Sequence, residues 1–330
     1  MNKWIIITTI NKPTIALKKI SELVASVGWR CVVVGDKKTP PDWSVPGIDY
    51  LSYDRQLEMY GKLAELLPAN HYCRKNLGYL YAMHHKADVI LETDDDNIPD
   101  ESFGKDINLV VDADVIGGCE WVNIYKHFSK SLIWPRGNPL DTIHDAGELI
   151  GRHSGHAPIQ QYLADGDPDV DAIYRLLYKS PLNFEERAPL FLNEGAWCSF
   201  NSQNTLFFKE AFPLLYLPCH VSFRMTDIWR SFVAQLGLWS ARKKLLFRSA
   251  TVVQERNEHN LMRDFSDEVD GYLNNNKIAK SLFKLLDRHR GDELHDVARA
   301  AWMNLREIGI IKNIELDIYD AWSEECRKLA

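Results

Sequence analysis

The chain has 330 residues, 45% of them apolar and 26% charged, enough to bury one large core or two modest ones. The formal net charge of −7 excludes a general nucleic-acid binder, which would present a basic face, but leaves room for a local basic pocket. No apolar run approaches the ~20 residues that span a bilayer, the start is too short and β-branched for a signal peptide, and six cysteines stand without CxxC spacing. These features predict a cytoplasmic protein with reduced thiols, at most resting against the inner face of a membrane.

Residues 4–9 read as a buried strand by their β-branched run. Residues 14–27 carry apolar side chains at helical spacing and stop at Gly28. A second strand over 30–34 ends at Gly35-Asp36, and 37–47 is a loop rich in proline and glycine. Helices follow over 54–67, stopped by Pro68, and over 71–86, where Asn70 can serve as cap. A third strand, 87–91, delivers Glu92-Thr93-Asp94-Asp95-Asp96. The β-α-β-α-β order predicts a parallel sheet covered by helices, with ligands gathering at the strands' carboxyl ends. Three polar clusters fall at such ends: Thr8-Thr9-Ile10-Asn11, Gly35-Asp36-Lys37 and the three aspartates.

Beyond them the pattern predicts a strand over 114–122, a long polar loop over 131–171, a strand over 199–208 and a helix from Thr226 to about residue 236. Residues 266–330 read as a helical appendage, with stripes over 278–288, 293–308 and 314–328.

Carboxylates are hard ligands suited to Mg²⁺ or Mn²⁺. In an extended segment residues i and i+2 point the same way, so Asp94 and Asp96 are the expected metal pair while Asp95 turns aside. Arg74, Lys75 and Asn76 head the preceding helix, whose N-terminus favours phosphate.

The run from His71 to Ala82, followed by Glu92 to Pro99, resembles the STELLO-type glycosyltransferases and, more distantly, the reversibly glycosylated polypeptides, which are UDP-arabinopyranose mutases. The likeness extends over about residues 3–265 and takes in the start "WIIITTIN", "VVVGDKKTP", the segment from Asp167 to Leu176, and Asn201 to Phe207. Arg136-Gly137-Asn138-Pro139 and Asp227-Ile228-Trp229 echo the mutases. The resemblance implies a GT-A fold over residues 1–265, with a nucleotide-sugar half (about 1–120) joined to an acceptor half (about 121–265). It implies a metal-dependent transferase moving sugar from a nucleoside-diphosphate donor, a UDP-sugar first, to a glycan or other hydroxyl. By the same likeness Thr8, Thr9 and Asn11 line the nucleoside pocket, Asp36 sits near the base, Arg74 and Asn76 near the ribose or diphosphate, and Asp94 and Asp95 against the donor.

Two departures count against a mutase or self-glycosylating protein. Thr226 replaces the first Asp of the mutases' Asp-Asp pair, and Ile143 stands where they carry an arginine. Transfer to a separate acceptor is therefore the leading expectation, with a silent nucleotide-sugar binder as a further alternative. For the base that takes the acceptor proton, Asp227 is the first candidate, Asp171 the second and Glu194 a weaker third. His259 is the candidate third metal ligand. His153 and His156 lack further spaced ligands for zinc, and Trp134 and Trp197 fit either packing or sugar stacking.

Overall fold

The structure is a computed structural model that describes residues 1–178, 181–256 and 260–329. Its centre is one mixed eleven-stranded sheet. The first side of it is the parallel βα series read from the sequence, with one short strand, β3, that the sequence reading did not include. Strands β1 (Lys3–Thr8), β2 (Trp29–Val34), β3 (Asp49–Leu51) and β4 (Val89–Thr93) lie in the order β3-β2-β1-β4, all parallel. Helix α1 (Ile15–Val27) starts where the Thr14 hydroxyl accepts the Leu17 N–H, and stops at Gly28, whose φ of 68° a side chain would resist. Helix α2 (Tyr53–Leu66) is capped by Ser52. Helix α3 (Lys75–His84) lies so close to the sheet that a Cβ on Gly78 would come within 2.6 Å of Ile6 and 2.7 Å of Val34.

The rest of the sheet is antiparallel or mixed. β5 (Asn97–Pro99) leaves the aspartate turn, β6 (Val110–Gly117) replaces the strand expected over 114–122, and β10 (Asn204–Phe208) pairs antiparallel with β4. The segment 131–171, expected as a loop, contains β7 (Glu148–His156) and β8 (Ile159–Gly166). Neither announces itself. β7 is an edge strand exposed along nearly its whole length, so it lacks alternation, and β8 is buried on both faces yet carries Gln160 and Gln161, whose amides bond backbone carbonyls. β9 (Leu190–Leu192) and β11 (Leu245–Gln254) complete the order β10-β8-β11-β9-β6-β7, with β5 against β11.

Helices α4 (Ala172–Leu177), α5 (Thr226–Ser240), α6 (Leu261–Phe283), α7 (Leu294–Glu307) and α8 (Asn313–Leu329) follow. Every residue of α5 is buried, so it is a core helix, and its polar members must find partners inside the protein. The helices of residues 261–329 share the main core: Trp302 and Trp322 belong to the same cluster as Trp4 and Leu77, and Trp322 Nε1 donates to the Asn76 carbonyl. Their apolar stripes were legible, but which surface they cover was not. No helix among the described residues is long and apolar enough to cross a membrane.

Candidate active site at the carboxyl ends of β1, β2 and β4

The three strand-end clusters open into one cavity of about 310 Å³. Thr8, Thr9 and Asn11 come from β1, Asp36 from β2, and Asp94, Asp95 and Asp96 from β4; Arg74 and Asp227 lie in the same wall.

The three aspartates do not alternate as an extended segment would. The chain turns over Asp94–Asn97, with the Asn97 N–H on the Asp94 carbonyl at 3.3 Å, so all three line the cavity. Each carboxylate has its own support. Asp94 meets the buried ammonium of Lys75 at 3.0 Å. Asp95 accepts the Thr9 hydroxyl and, at 3.0 Å, the Asn11 amide. Asp96 accepts the Gln254 amide at 3.1 and 3.2 Å. Burial, and then the charge of Asp94, push the Asp96 carboxyl up to about 6. Beneath them Glu92 is fully buried, paired with Arg230 of α5 at 2.6 Å and hydrogen-bonded by Tyr79 of α3. That pairing fixes the tip of β4 between two helices.

The Arg-Lys-Asn helix start is largely spent on the protein itself. Arg74 donates to Gln56 Oε1 at 2.7 Å and to the Ala64 and Leu67 carbonyls at 3.2 and 3.0 Å; its Nη2 is buried without a partner among the described residues. Lys75 holds the Thr93 and Ser202 carbonyls besides Asp94. Asn76 lies outside the cavity: its amide and carbonyl bond the backbone of Leu217, a reciprocal pair that docks the chain before α5. Asp36 accepts the N–H of Lys37 at 2.7 Å and of His71 at 3.3 Å. Burial, reinforced by His220, lowers the His71 imidazole to about 4, so it lines the cavity uncharged at neutral pH.

Residues between 136 and 256 supply a charge cluster that sequence reasoning did not assemble. Asp227 lies in the first turn of α5 and accepts from Arg136 and the Ser202 N–H, both at 3.0 Å, through Oδ2. Its Oδ1 accepts the Tyr72 hydroxyl at a longer 3.3 Å. Its ion-pair partner, Arg136, comes from a distant loop rather than from the adjacent Arg224 or Arg230. Asp169 pairs with Arg136, with Arg224 at 2.6 Å and with Arg256 at 3.4 Å. Burial raises its carboxyl, but the guanidiniums of Arg136, Arg224, Arg256 and Arg175 outweigh that and hold it well below the usual range. The "RGNP" and "DPDVD" segments carried a signal for Arg136 and Asp169; nothing local pointed to Arg224 and Arg256.

Other candidates lie elsewhere. Asp171 caps α4 through the N–H groups of Ile173 and Tyr174 and takes the Tyr272 hydroxyl, outside the cavity. Burial and the neighbouring Glu268 raise it to about 7. Glu194 pairs with Arg290 at 2.9 Å, away from the cavity. Trp134 and Trp197 are buried against other aromatic rings. His259 lies outside the described residues.

Comparison with known proteins decides the family. The family model of the STELLO glycosyltransferases matches residues 224–313. "Probable glycosyltransferase STELLO2" of Arabidopsis thaliana is 33% identical over 305 residues, 85% of this chain and 39% of that protein. "Probable glycosyltransferase STELLO1" of the same plant is 34% identical over 262 residues, 72% of this chain and 33% of that protein.

The chain belongs to the STELLO glycosyltransferase family.

It spans well under half the length of these curated STELLO relatives. The STELLO match begins at Arg224 and Asp227, in the wall of the cavity, and runs through α6 and α7 to the start of α8. The helices of residues 261–313 are thereby part of what marks the family, alongside the packing that ties them to the core.

Proposed function

We propose that this STELLO family member is a GT-A glycosyltransferase that moves a sugar from a nucleoside-diphosphate donor, a UDP-sugar first, to a hydroxyl of a glycan or other acceptor, with Mn²⁺ or Mg²⁺. One observation carries the reading: the polar ends of β1, β2 and β4 share a single cavity with three aspartates. Ligands of parallel α/β sheets collect at such ends.

The metal expectation fits the donor set. Among the described residues no three His, Cys, Asp or Glu side chains stand together as a metal cage. Mg²⁺, however, is commonly held by one or two carboxylates plus substrate phosphates rather than by an all-protein cage. Asp94 and Asp96 would hold it; burial and then the charge of Asp94 raise Asp96, and the repulsion between the two favours a cation between them. Bound there, the ion supplies charge neutralisation for the departing diphosphate.

The protein's own groups do the rest. The Thr9 hydroxyl and Asn11 amide anchor Asp95 toward the cavity, and Lys75 orients Asp94. Arg136 fills one oxygen of Asp227, which leaves Oδ1, bonded among the described residues to Tyr72 alone and the less occupied of the two, as the atom to accept the acceptor's proton. The free thiols fit a reducing compartment such as the cytoplasm.

A thermal-shift panel of nucleotide sugars with and without Mn²⁺, followed by a transfer assay, tests this reading. A Mn²⁺-dependent rise in Tm with one donor is expected, because a ligand of the native state must stabilise it. The same rise in Asp94→Ala/Asp96→Ala protein would refute the reading. A second reading, a nucleotide-sugar binder without turnover, is favoured by the occupation of Asp227 by Arg136 and Ser202. Binding with no product across a broad acceptor panel would select it.

A further inference from the structure

A second cavity, of about 530 Å³, lies against β8 and β11. Arg248 and Gln254 are six residues apart on β11, roughly 20 Å of extended chain, so one sugar cannot touch both this cavity's Arg248 and the first cavity's Gln254. Its walls are tied together. The Asp100 N–H donates to the Thr251 carbonyl at 3.0 Å, the Phe184 N–H to Asp165 at 2.7 Å, and the Arg187 N–H to the Ser249 hydroxyl at 2.8 Å.

The charges inside it are of both signs and held apart. The Arg248 guanidinium lies over the Tyr162 ring at 5.5 Å, and among the described residues it pairs with no carboxylate; neither does Lys105. Yet Asp100, Asp106 and Asp165 line the same space. Tyr162 is only 7% exposed, and among the described residues its hydroxyl and the Arg248 Nε are both buried without partners. Such orphans call for a ligand or water. No three of the carboxylates stand close enough to cage a metal.

The volume lies in the range of small-molecule sites. A net anion would meet the carboxylates and a net cation would meet Arg248 and Lys105. A solute that donates and accepts at once satisfies both: its hydroxyls donate to the carboxylates and accept from the guanidinium, while Tyr162, Phe184 and Pro189 offer an apolar face. We propose that this cavity is a second carbohydrate site, taking a unit of an uncharged saccharide, and that it acts whether or not turnover occurs at the first.

Titration calorimetry with neutral hexasaccharides of glucose and of mannose, a uronic-acid hexasaccharide and hexalysine tests it. At least one neutral saccharide should bind, and Arg248→Ala should weaken it at least about tenfold. Ala250→Trp fills the same cavity without altering its charges, should weaken binding likewise, and serves if Arg248→Ala fails to fold. Both variants should keep the thermal shift that nucleotide sugar gives the wild-type protein. No neutral binder at about 10 mM, neutral binding untouched by either variant, a preference for the uronic-acid chain that Arg248→Ala abolishes, or a preference for hexalysine that Ala250→Trp abolishes, would each overturn the proposal.

Discussion

Lys75 Nζ, fully buried, lies 3.0 Å from Asp94 Oδ1, at the head of the aspartate turn. The ammonium also holds the carbonyls of Thr93 and Ser202, so it joins β4 to the segment before β10. Replacing it by Met keeps the stem's volume but strands two buried carbonyls and a carboxylate. Lys75→Met should therefore lose about 2 kcal/mol of stability by chemical denaturation, and should weaken donor binding as Asp94 swings free. Unchanged stability would mean that water replaces the ammonium.

Arg136 pairs with both Asp169 and Asp227 in the buried wall of the cavity. Removing one partner of a buried ion pair costs about 3–5 kcal/mol, because the other charges stay buried. Arg136→Met should approach that loss, measured by urea denaturation. Arg136→Met/Asp227→Asn should recover part of it, since one stranded charge goes with its partner. A double variant no more stable than the single one would show that Asp227 finds other neutralisation.

Asp171 offers a pH test away from the cavity. Its folded-state carboxyl is raised to about 7, by burial and then Glu268, above the ordinary 3.8. Between those values the folded state binds more protons than the unfolded chain, so this group's contribution falls as pH rises from about 4 to about 7 and is flat above. Asn at this position keeps an N-cap acceptor. Asp171→Asn should be more stable than wild type at pH 8, with the advantage shrinking toward pH 5. An equal difference at both pH values would place the titration elsewhere.

Trp322 buries its ring against Tyr216 and donates to the Asn76 carbonyl. Helix α8 also brings Glu315 to the Tyr216 hydroxyl and to the Cys219 and His220 N–H groups. Trp322→Ala should cost about 3–5 kcal/mol in denaturation. Deleting residues 313–330 should yield aggregated protein rather than a trimmed domain; a soluble, cooperatively melting truncation would show that the helix is dispensable.

The first 99 residues were the most legible part of the chain. Periodicity located β1, α1, β2, α2, α3 and β4 to within a few residues, because each buries one face or a whole strand and is punctuated by Gly28, Gly35 or Pro68. It also placed Thr8, Thr9, Asn11, Asp36 and the three aspartates at strand ends that meet in one cavity, since chain direction alone brings parallel strand ends together. Local pattern failed where burial comes from afar. β7 has no buried face, β8 hides polar amides, and β11 and β5 pair across more than 150 residues of sequence.

Side-chain direction was likewise decided by the fold. A turn at Asp94–Asn97 cancels the alternation that assigned Asp95 outward, and a hydrogen bond to Leu217 carries Asn76 away from the cavity. The charge cluster of Arg136, Asp169, Arg224, Asp227 and Arg256 draws on four separate segments. Residue types and strand order were in the sequence by itself; which carboxylate meets which guanidinium was set by tertiary structure, because ion pairs form through space at a few ångströms between positions that no sequence period relates.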